Sequence, residues 1–507
     1  MRRLKLTLLA ALASPAALAW TPPVGIPAPA WPTNLDVARP ALPASWTTDQ
    51  AGFYFVASTG CSNANANGNP SAPRCSLPSS VAAGSVIVLD GTISQAATLA
   101  YTGTAASPIW IMGYHTASKP AVTSAWSITG SYQIVDSIAF TLNGQDGVGI
   151  GGNHNMLRAS SMSNPYGTSN GAGFGLGGQQ NIFYDNVVSQ MGDWQYTGAD
   201  IDRHGIKVSG TEIWILDSEF YHCQGDGVQV GDQNNAASAI NKIYIGRNVA
   251  HENLQFGFWT KNATDVIFSE NTAYLLSRST ASGPGGGLGG QYDPAYVWYL
   301  NNTVYNSNNG IHIAGSSNGG GGPWYAIGNL VHGIATTGAS CNGYDYGGIS
   351  YRNSGGFTAI FNTVHDVDFF GGFPPSGGEV VIRNNIFSAK KANSCAGFAI
   401  ERTVTHDYNL FTSAAYDPGS EAHRVVADPQ FTAAGSDFTL KANSPAVGRG
   451  SLTEEAAFAD FQNRYGIDIR KDIRGVVRPQ LGRWDLGAFE SPYSGIYPSA
   501  PTGLQVN

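Results

Sequence analysis

The sequence predicts an all-β solenoid in which short strands stack coil upon coil. The first observation is a repeat between Asp202 and Lys261. It reads D-R-H-G-I-K-V-S, then G-D-G-V-Q-V-G-D, then F-G-F-W-T-K. Aligned on Gly205, Gly227 and Gly257, one column holds Ile206, Val228 and Phe258, and the next holds Lys207, Gln229 and Trp259. Apolar and open positions alternate with a period of two, the mark of a strand with one buried face. The second observation is a column of asparagines that each precede a short strand: Asn186, Asn248, Asn271, Asn302, Asn329, Asn362, Asn385 and Asn409. Asp217-Ser218 fills the gap between Asn186 and Asn248. Asn at a bend tolerates a left-handed backbone and can hydrogen-bond its neighbour in the next coil. The third is composition: 64 glycines in 507 residues and few charges favour short strands and tight turns over helices.

Taken in order, residues 1–19 read as a secretory signal. Arg2, Arg3 and Lys5 precede an apolar run, and Ala17-Leu18-Ala19 offers small residues for cleavage. Its loss would take the formal charge from −8 to about −11. Such an acidic chain lacks the basic footprint of a nucleic-acid binder, and no later apolar run is long enough to span a bilayer. Secretion from a bacterial cell and action as a monomer are therefore expected, without a nucleic-acid or membrane partner. Residues 20–50 are rich in Pro and Ala and read as an exposed leader. The solenoid is expected over 51–490, with 491–507 as a linker-like tail. Its first strands are Phe53-Tyr54-Phe55-Val56, Ser85-Val86-Ile87-Val88-Leu89 and Ile109-Trp110-Ile111-Met112. Ser79 to Ala83 are assigned to an N-terminal cap, since an open terminal coil exposes core and unpaired strand groups.

Regular coils run from Ile128. The spacings after Asn248 are 23, 31, 27, 33, 23 and 24 residues. The bare coil is thus about 23 residues, and longer ones carry insertions on one edge. These fall at 233–239, 278–286, 315–323 and 336–345, where they would wall a groove. The Gly-rich run at 282–287 is no phosphate cradle, because neither Lys-Ser/Thr nor a helical pattern follows. Of five cysteines, Cys61 and Cys75 bracket one polar loop and are paired, and Cys341 and Cys395 are assigned to a second staple. Cys223 follows a strand and reads as a buried lone thiol without a Cys-His nucleophile signature.

The closing series has a specific character: Val426-Ala427-Asp428-Pro429-Gln430-Phe431, Asn443-Ser444-Pro445-Ala446, Asp472-Ile473-Arg474-Gly475 and Asp485-Leu486-Gly487-Ala488-Phe489-Glu490. With the Asn column and the Gly-led coils, it resembles the bacterial secreted proteins of the pectate-lyase-like superfamily over about Gly52 to Glu490. The resemblance implies a right-handed parallel β-helix. It does not choose an activity, because the superfamily hosts lyases, hydrolases, epimerases and adhesins.

The chemistry is expected on the open face. Continuing the columns adds Gly289 and Gln291, His312 and Ala314, and Ser350 and Arg352, with Gly177 and Gln179 on the N-terminal side. Lys207, Gln229, Trp259, Lys261, Gln291, His312 and Arg352 would share one stripe. Flat rings, amides and cations are what an acidic polysaccharide requires of a binding surface. Asp202, Asp226 and Asp232 cluster beside the first coils, and stacking is expected to bring Asp202 and Asp226 together. One chemistry is β-elimination from a uronic-acid polymer. Lys207 is then the base, with His204 or Arg203 as rival base or neutraliser, and Asp202, Asp226 and Asp232 hold Ca²⁺. The resemblance implies the same residue types, a Lys or Arg base with Ca²⁺ or basic side chains. The second chemistry is hydrolysis by paired Asp. The superfamily's hydrolases show paired Asp and Gly-His-Gly; here only single acids and His204-Gly205 occur. A third reading is a carbohydrate-binding solenoid without catalysis. His312 has no second His or Cys at ligand spacing and is not expected to bind metal.

Overall fold

The computed structural model describes residues 20–493, apart from 145–146, 166–170, 196–201, 277–284, 316–320, 336–346, 354, 374–377, 393–396, 401–403, 420 and 452–454. Stacked coils contribute strands to three parallel sheets, two of 14 strands and one of 10, and the central coils contribute to all three. Successive strands of a sheet are joined by a crossover through the other two sheets. This is a right-handed parallel β-helix, in the sense that parallel connections take. The coil around Trp214 shows the order: Ile213–Leu216 in a first sheet, Glu219–Cys223 in a second, Val228–Val230 in the third. The third sheet carries the expected open face and is called the groove sheet below.

Its register is the one the columns predict. Ile206, Val228, Phe258, Leu288, Ile311 and Ile349 pair in sequence and point into the core. Burying each such side chain contributes about 1.5–3 kcal/mol. The glycine column has a steric cause. A Cβ at Gly205, Gly227 or Gly257 would lie 2.5, 2.7 or 2.9 Å from the carbonyl oxygen of the next coil's glycine. One alignment is displaced. Gly175, not Gly177, pairs with Lys207, so that segment is shifted by two residues, and Gln179 lies beyond the strand beside Glu212.

The asparagine column forms a buried ladder at the bend between the first and second sheets. The backbone N–H of Asn248 donates to Asn271 Oδ1, that of Asn271 to Asn302, and that of Asn302 to Asn329, at 2.9–3.0 Å. Ser218 bridges Asn186 and Asn248 as expected. The ladder ends on the Glu421 carboxylate, which takes the N–H of Asn409 at 2.9 Å. The left-handed residue is the one before each ladder position, such as Asp217 (φ 49°), Arg247 (52°) or Glu270 (57°), and not the Asn itself.

Residues 20–50 are not an exposed leader. Ile26, Leu35 and Trp46 are buried on the outer face of the first sheet, where Trp214 Nε1 donates to Pro27 O at 2.8 Å and Arg158 Nη1 to Leu35 O at 2.8 Å. A helix at Glu455–Tyr465 covers the same face through Phe458 and Phe461. Ser79 to Ala83, assigned to a cap, are irregular, with a bend at Ser79 and a turn at Ala83. Cys61 and Cys75 form a disulfide, and Cys223 is a buried free thiol that burial pushes well above its ordinary pKa. Cys341, Cys395, the loop 336–345, nearly all of 278–286 and of the tail, and the middle of 315–323 lie outside the described residues. Among the described residues no helix is long and apolar enough to cross a membrane.

Candidate functional site

The open face holds Lys207, Gln229, Trp259, Gly289, His312 and Ser350 in one paired row, with Lys261 opposite Gln291 beside it. The row is not a uniform platform. A cavity of about 400 Å³ opens over its C-terminal part. Of the expected site residues, Asp202, Asp226, Trp259, Lys261, Gln291, His312 and Arg352 line it. Arg203, His204, Lys207, Gln229 and Asp232 do not.

The N-terminal end of the row is occupied by an ion pair. Lys207 Nζ lies 2.6 Å from Asp232 Oδ2, and both side chains are about one-third exposed (39% and 33%). The hydrogen bond from Lys207 holds the Asp232 carboxyl below its ordinary range. Gln229 is buried and donates to Gly231 O at 3.3 Å. The expected base and one of the expected metal ligands are therefore paired with each other, and neither lines the cavity.

Trp259 is only 5% exposed, so it is not the open stacking face expected of it. Its indole lies over Gly289, where a Cβ would sit 2.4 Å from Cζ3, and its centroid is 4.1 Å from that of Phe256. His312 runs nearly parallel to both rings at 6.1 Å, and its Nδ1 is 2.8 Å from Ser350 Oγ. Phe256 and Trp259 lie on one strand and His312 on the next strand but one, and across the intervening Gly289 the three rings make a floor.

The acids sit at the edge of that floor. Asp226 is buried; its Oδ1 accepts the N–H of Phe256 at 3.0 Å. Its stacking partner is His204 and not Asp202. His204 Nδ1 accepts the Asp226 N–H at 2.9 Å and lies 3.4 Å from Asp226 Oδ2. An imidazole nitrogen that accepts an N–H carries no proton. Burial first, and then the charges of Lys261 and Lys207, lower the His204 pKa to about 3 against the pull of Asp202 and Asp232. Neutral, enclosed and outside the cavity, His204 is neither an exposed base nor a cationic neutraliser; it fixes the main chain at Asp226. Asp202 Oδ1 accepts from Gln255 Nε2 at 2.8 Å, so both acids reach one cavity by different routes. Arg203 is buried beneath this edge.

Lys261 and Arg352 bring positive charge to the same cavity. Among the described residues the Lys261 ammonium has no carboxylate within ion-pair distance, in contrast to Lys207. Ala314, from the continued columns, and Gln233, from an insertion expected to wall the groove, also line it, whereas sequence reasoning missed Gln255, Phe256 and Tyr292. For Phe256 a signal existed: it precedes Gly257 as Asp226 precedes Gly227 and His204 precedes Gly205.

No family model matches the chain, and no curated protein matches it in sequence. Solved structures match its fold. Pectate lyase Pel9A is 15% identical over 88% of this chain and 97% of its own, with a TM-score of 0.41. A PL6 alginate lyase complex with a trisaccharide is 10% identical over the same shares, with a TM-score of 0.48. The PL6 alginate lyase AlyGC is 13% identical over 71% of this chain and 52% of its own, with a TM-score of 0.45. At these identities the likeness is one of fold, and the chemistry of the cavity rests on the residues that line it.

Proposed function

We propose that the chain is an exported enzyme that cleaves an acidic, uronic-acid-containing polysaccharide by β-elimination in this cavity. Export is supported by the signal-like residues 1–19 and by the Cys61–Cys75 disulfide, a bond of oxidising compartments. The observation that carries the reaction is that Lys261, Arg352, Asp202 and Asp226 line one cavity on a polar, aromatic-floored groove. Arg352 suits a substrate carboxylate, because a guanidinium binds carboxylates through two parallel hydrogen bonds.

In the reaction, Lys261 takes the base role first expected of Lys207. Its amine removes the proton from the carbon next to the uronate carboxylate. The electron pair forms a carbon–carbon double bond, the bond to the glycosidic oxygen breaks, and that oxygen takes a proton from solvent water to become a new chain end, the hydroxide left then recovering the proton held by Lys261. An amine serves as base through its free electron pair. Neutralising the substrate carboxylate makes the neighbouring proton more acidic, the role given to Arg352.

Of the three acids expected to hold calcium, Asp232 is taken by Lys207, and among the described residues Asp202 and Asp226 form no three-ligand cluster, so these two carboxylates alone would hold the ion together with substrate oxygens. When bound, the ion would add positive charge at the substrate carboxylate. Chelation that left turnover unchanged would remove it from the account. The two cavity carboxylates also support hydrolysis as a second reading, with Asp226 held by main-chain N–H of Phe256 and Asp202 as its partner. Ultraviolet absorbance and reducing ends, followed together on pectate, alginate and glucuronan, separate the two. Both rise in elimination; only reducing ends rise in hydrolysis; neither rises for a protein that binds without cutting.

A further inference from the structure

The cavity rim carries an aromatic side chain whose placement neither the solenoid nor the proposed chemistry explains. Lys261 pairs with Gln291 across adjacent coils, so the residues that follow, Asn262 and Tyr292, occupy equivalent corners. Both have positive φ, 29° and 67°. Asn is well suited to that backbone, whereas a bulky side chain is strained there. Other aromatic residues at left-handed corners have a packing reason. Tyr132 stacks on His154, Tyr408 on His423, Phe361 packs against Trp484, and Tyr296 lies under Arg464. Among the described residues Tyr292 has no ring or cation against it, and its side chain lines the cavity.

The ring is nonetheless held. Its hydroxyl donates to Gln233 Oε1 at 3.0 Å, and its carbonyl accepts from Asn353 Nδ2 at 2.8 Å. The next residue, Asp293, donates its N–H to Asn262 Oδ1 at 3.0 Å, and Asn262 Nδ2 reaches Gln233 O at 2.9 Å. Main chain and ring tip are thus tethered while the ring faces lack aromatic and cationic partners. A pre-oriented ring beside cations and carboxylates is suited to the apolar face of a sugar, the role that buried Trp259 does not fill.

We propose that Tyr292 is a sugar-stacking residue of this cavity, and that the strain at its corner is retained for that contact. The proposal rests on the polysaccharide reading of the same site. The test is calorimetric binding of hexamers of galacturonate, mannuronate, guluronate and glucuronate to the full chain and two variants. Tyr292→Asn keeps a residue suited to the corner and removes the ring. Tyr292→Phe keeps the ring and removes the tether. For a hexamer that the wild type binds, Tyr292→Asn is expected to weaken affinity about tenfold, while its melting temperature is unchanged or raised. Tyr292→Phe is expected to stay within about threefold. Equal affinity of Tyr292→Asn and wild type would overturn the stacking role and leave the site standing. Absence of binding by the wild type to every hexamer would overturn both readings.

Discussion

Replacing the two lysines of the groove one at a time, as Lys261→Met and Lys207→Met, separates the proton acceptor from its neighbour. Methionine keeps most of each aliphatic stem and removes the ammonium, so packing is nearly held. Lys207 spends its charge on Asp232 in a pair whose side chains are 39% and 33% exposed. Exposed pairs contribute about 0–1 kcal/mol, so its loss is expected to change turnover by less than about fivefold. Lys261 lines the cavity with Asp202, Asp226 and Arg352. A positioned general base accelerates a reaction by about 10²–10⁴, equivalent to roughly 3–5 kcal/mol of barrier. Lys261→Met should therefore lower kcat at least a hundredfold with a smaller change in KM. The assay is initial-rate kinetics on the uronide polymer that the wild type cuts, with melting temperature recorded for each variant. A larger loss of kcat in Lys207→Met than in Lys261→Met, at equal folded fraction, would refute the assignment of the base from cavity geometry.

Two further outcomes follow from the buried polar groups. Asn302→Ala removes four hydrogen bonds at 3.0 Å, to Asn271 N, Asn271 Nδ2, Phe268 O and Asn329 Oδ1, from a fully buried site. Stranding the Asn271 N–H and the Phe268 carbonyl costs about 1–3 kcal/mol each, so urea denaturation should show a loss of about 2–6 kcal/mol; a loss under about 0.5 kcal/mol would mean that the ladder is ornamental. His204 has its pKa lowered by burial from 6.5 to about 3. The unfolded chain therefore binds the extra proton first as pH falls, and the stabilisation is full above about pH 6.5 and is lost progressively towards pH 3. Thermal unfolding followed from pH 7 to 4 should show this slope, and His204→Gln should flatten it; burial also lowers the pKa values of His332 and His365, so part of the slope will remain.

Much of the scaffold was legible because its cause is local and repeated. The row Lys207–Gln229–Trp259 could be aligned because each strand follows a glycine that the neighbouring carbonyl demands. The same device misled one coil earlier. In Gly171-Ala172-Gly173-Phe174-Gly175-Leu176-Gly177 a glycine recurs every second residue, so a shift by two preserves the alternation, and only pairing fixes Gly175 opposite Lys207. The site was legible as a face and not as a geometry. Alternation places Lys207 and Lys261 on the same side, but whether an ammonium meets a carboxylate depends on where the turn after Gly231 delivers Asp232. Likewise Asp226 stacks on His204 because both immediately precede an aligned glycine, while Asp202 stands three residues before Gly205. The packing of residues 20–50 was illegible for another reason. Ile26, Leu35 and Trp46 follow no period, since an irregular segment laid across strands takes its spacing from the surface beneath it.

The central claim is that the cavity performs elimination, and one measurement addresses it directly. Purified protein is incubated with pectate, alginate and glucuronan, and ultraviolet absorbance and reducing ends are read in the same reaction. The account predicts that both rise together on at least one polymer, one conjugated double bond for each new reducing end. Reducing ends that accumulate without any rise in absorbance would contradict it and assign the cavity to Asp202 and Asp226 as a hydrolytic pair.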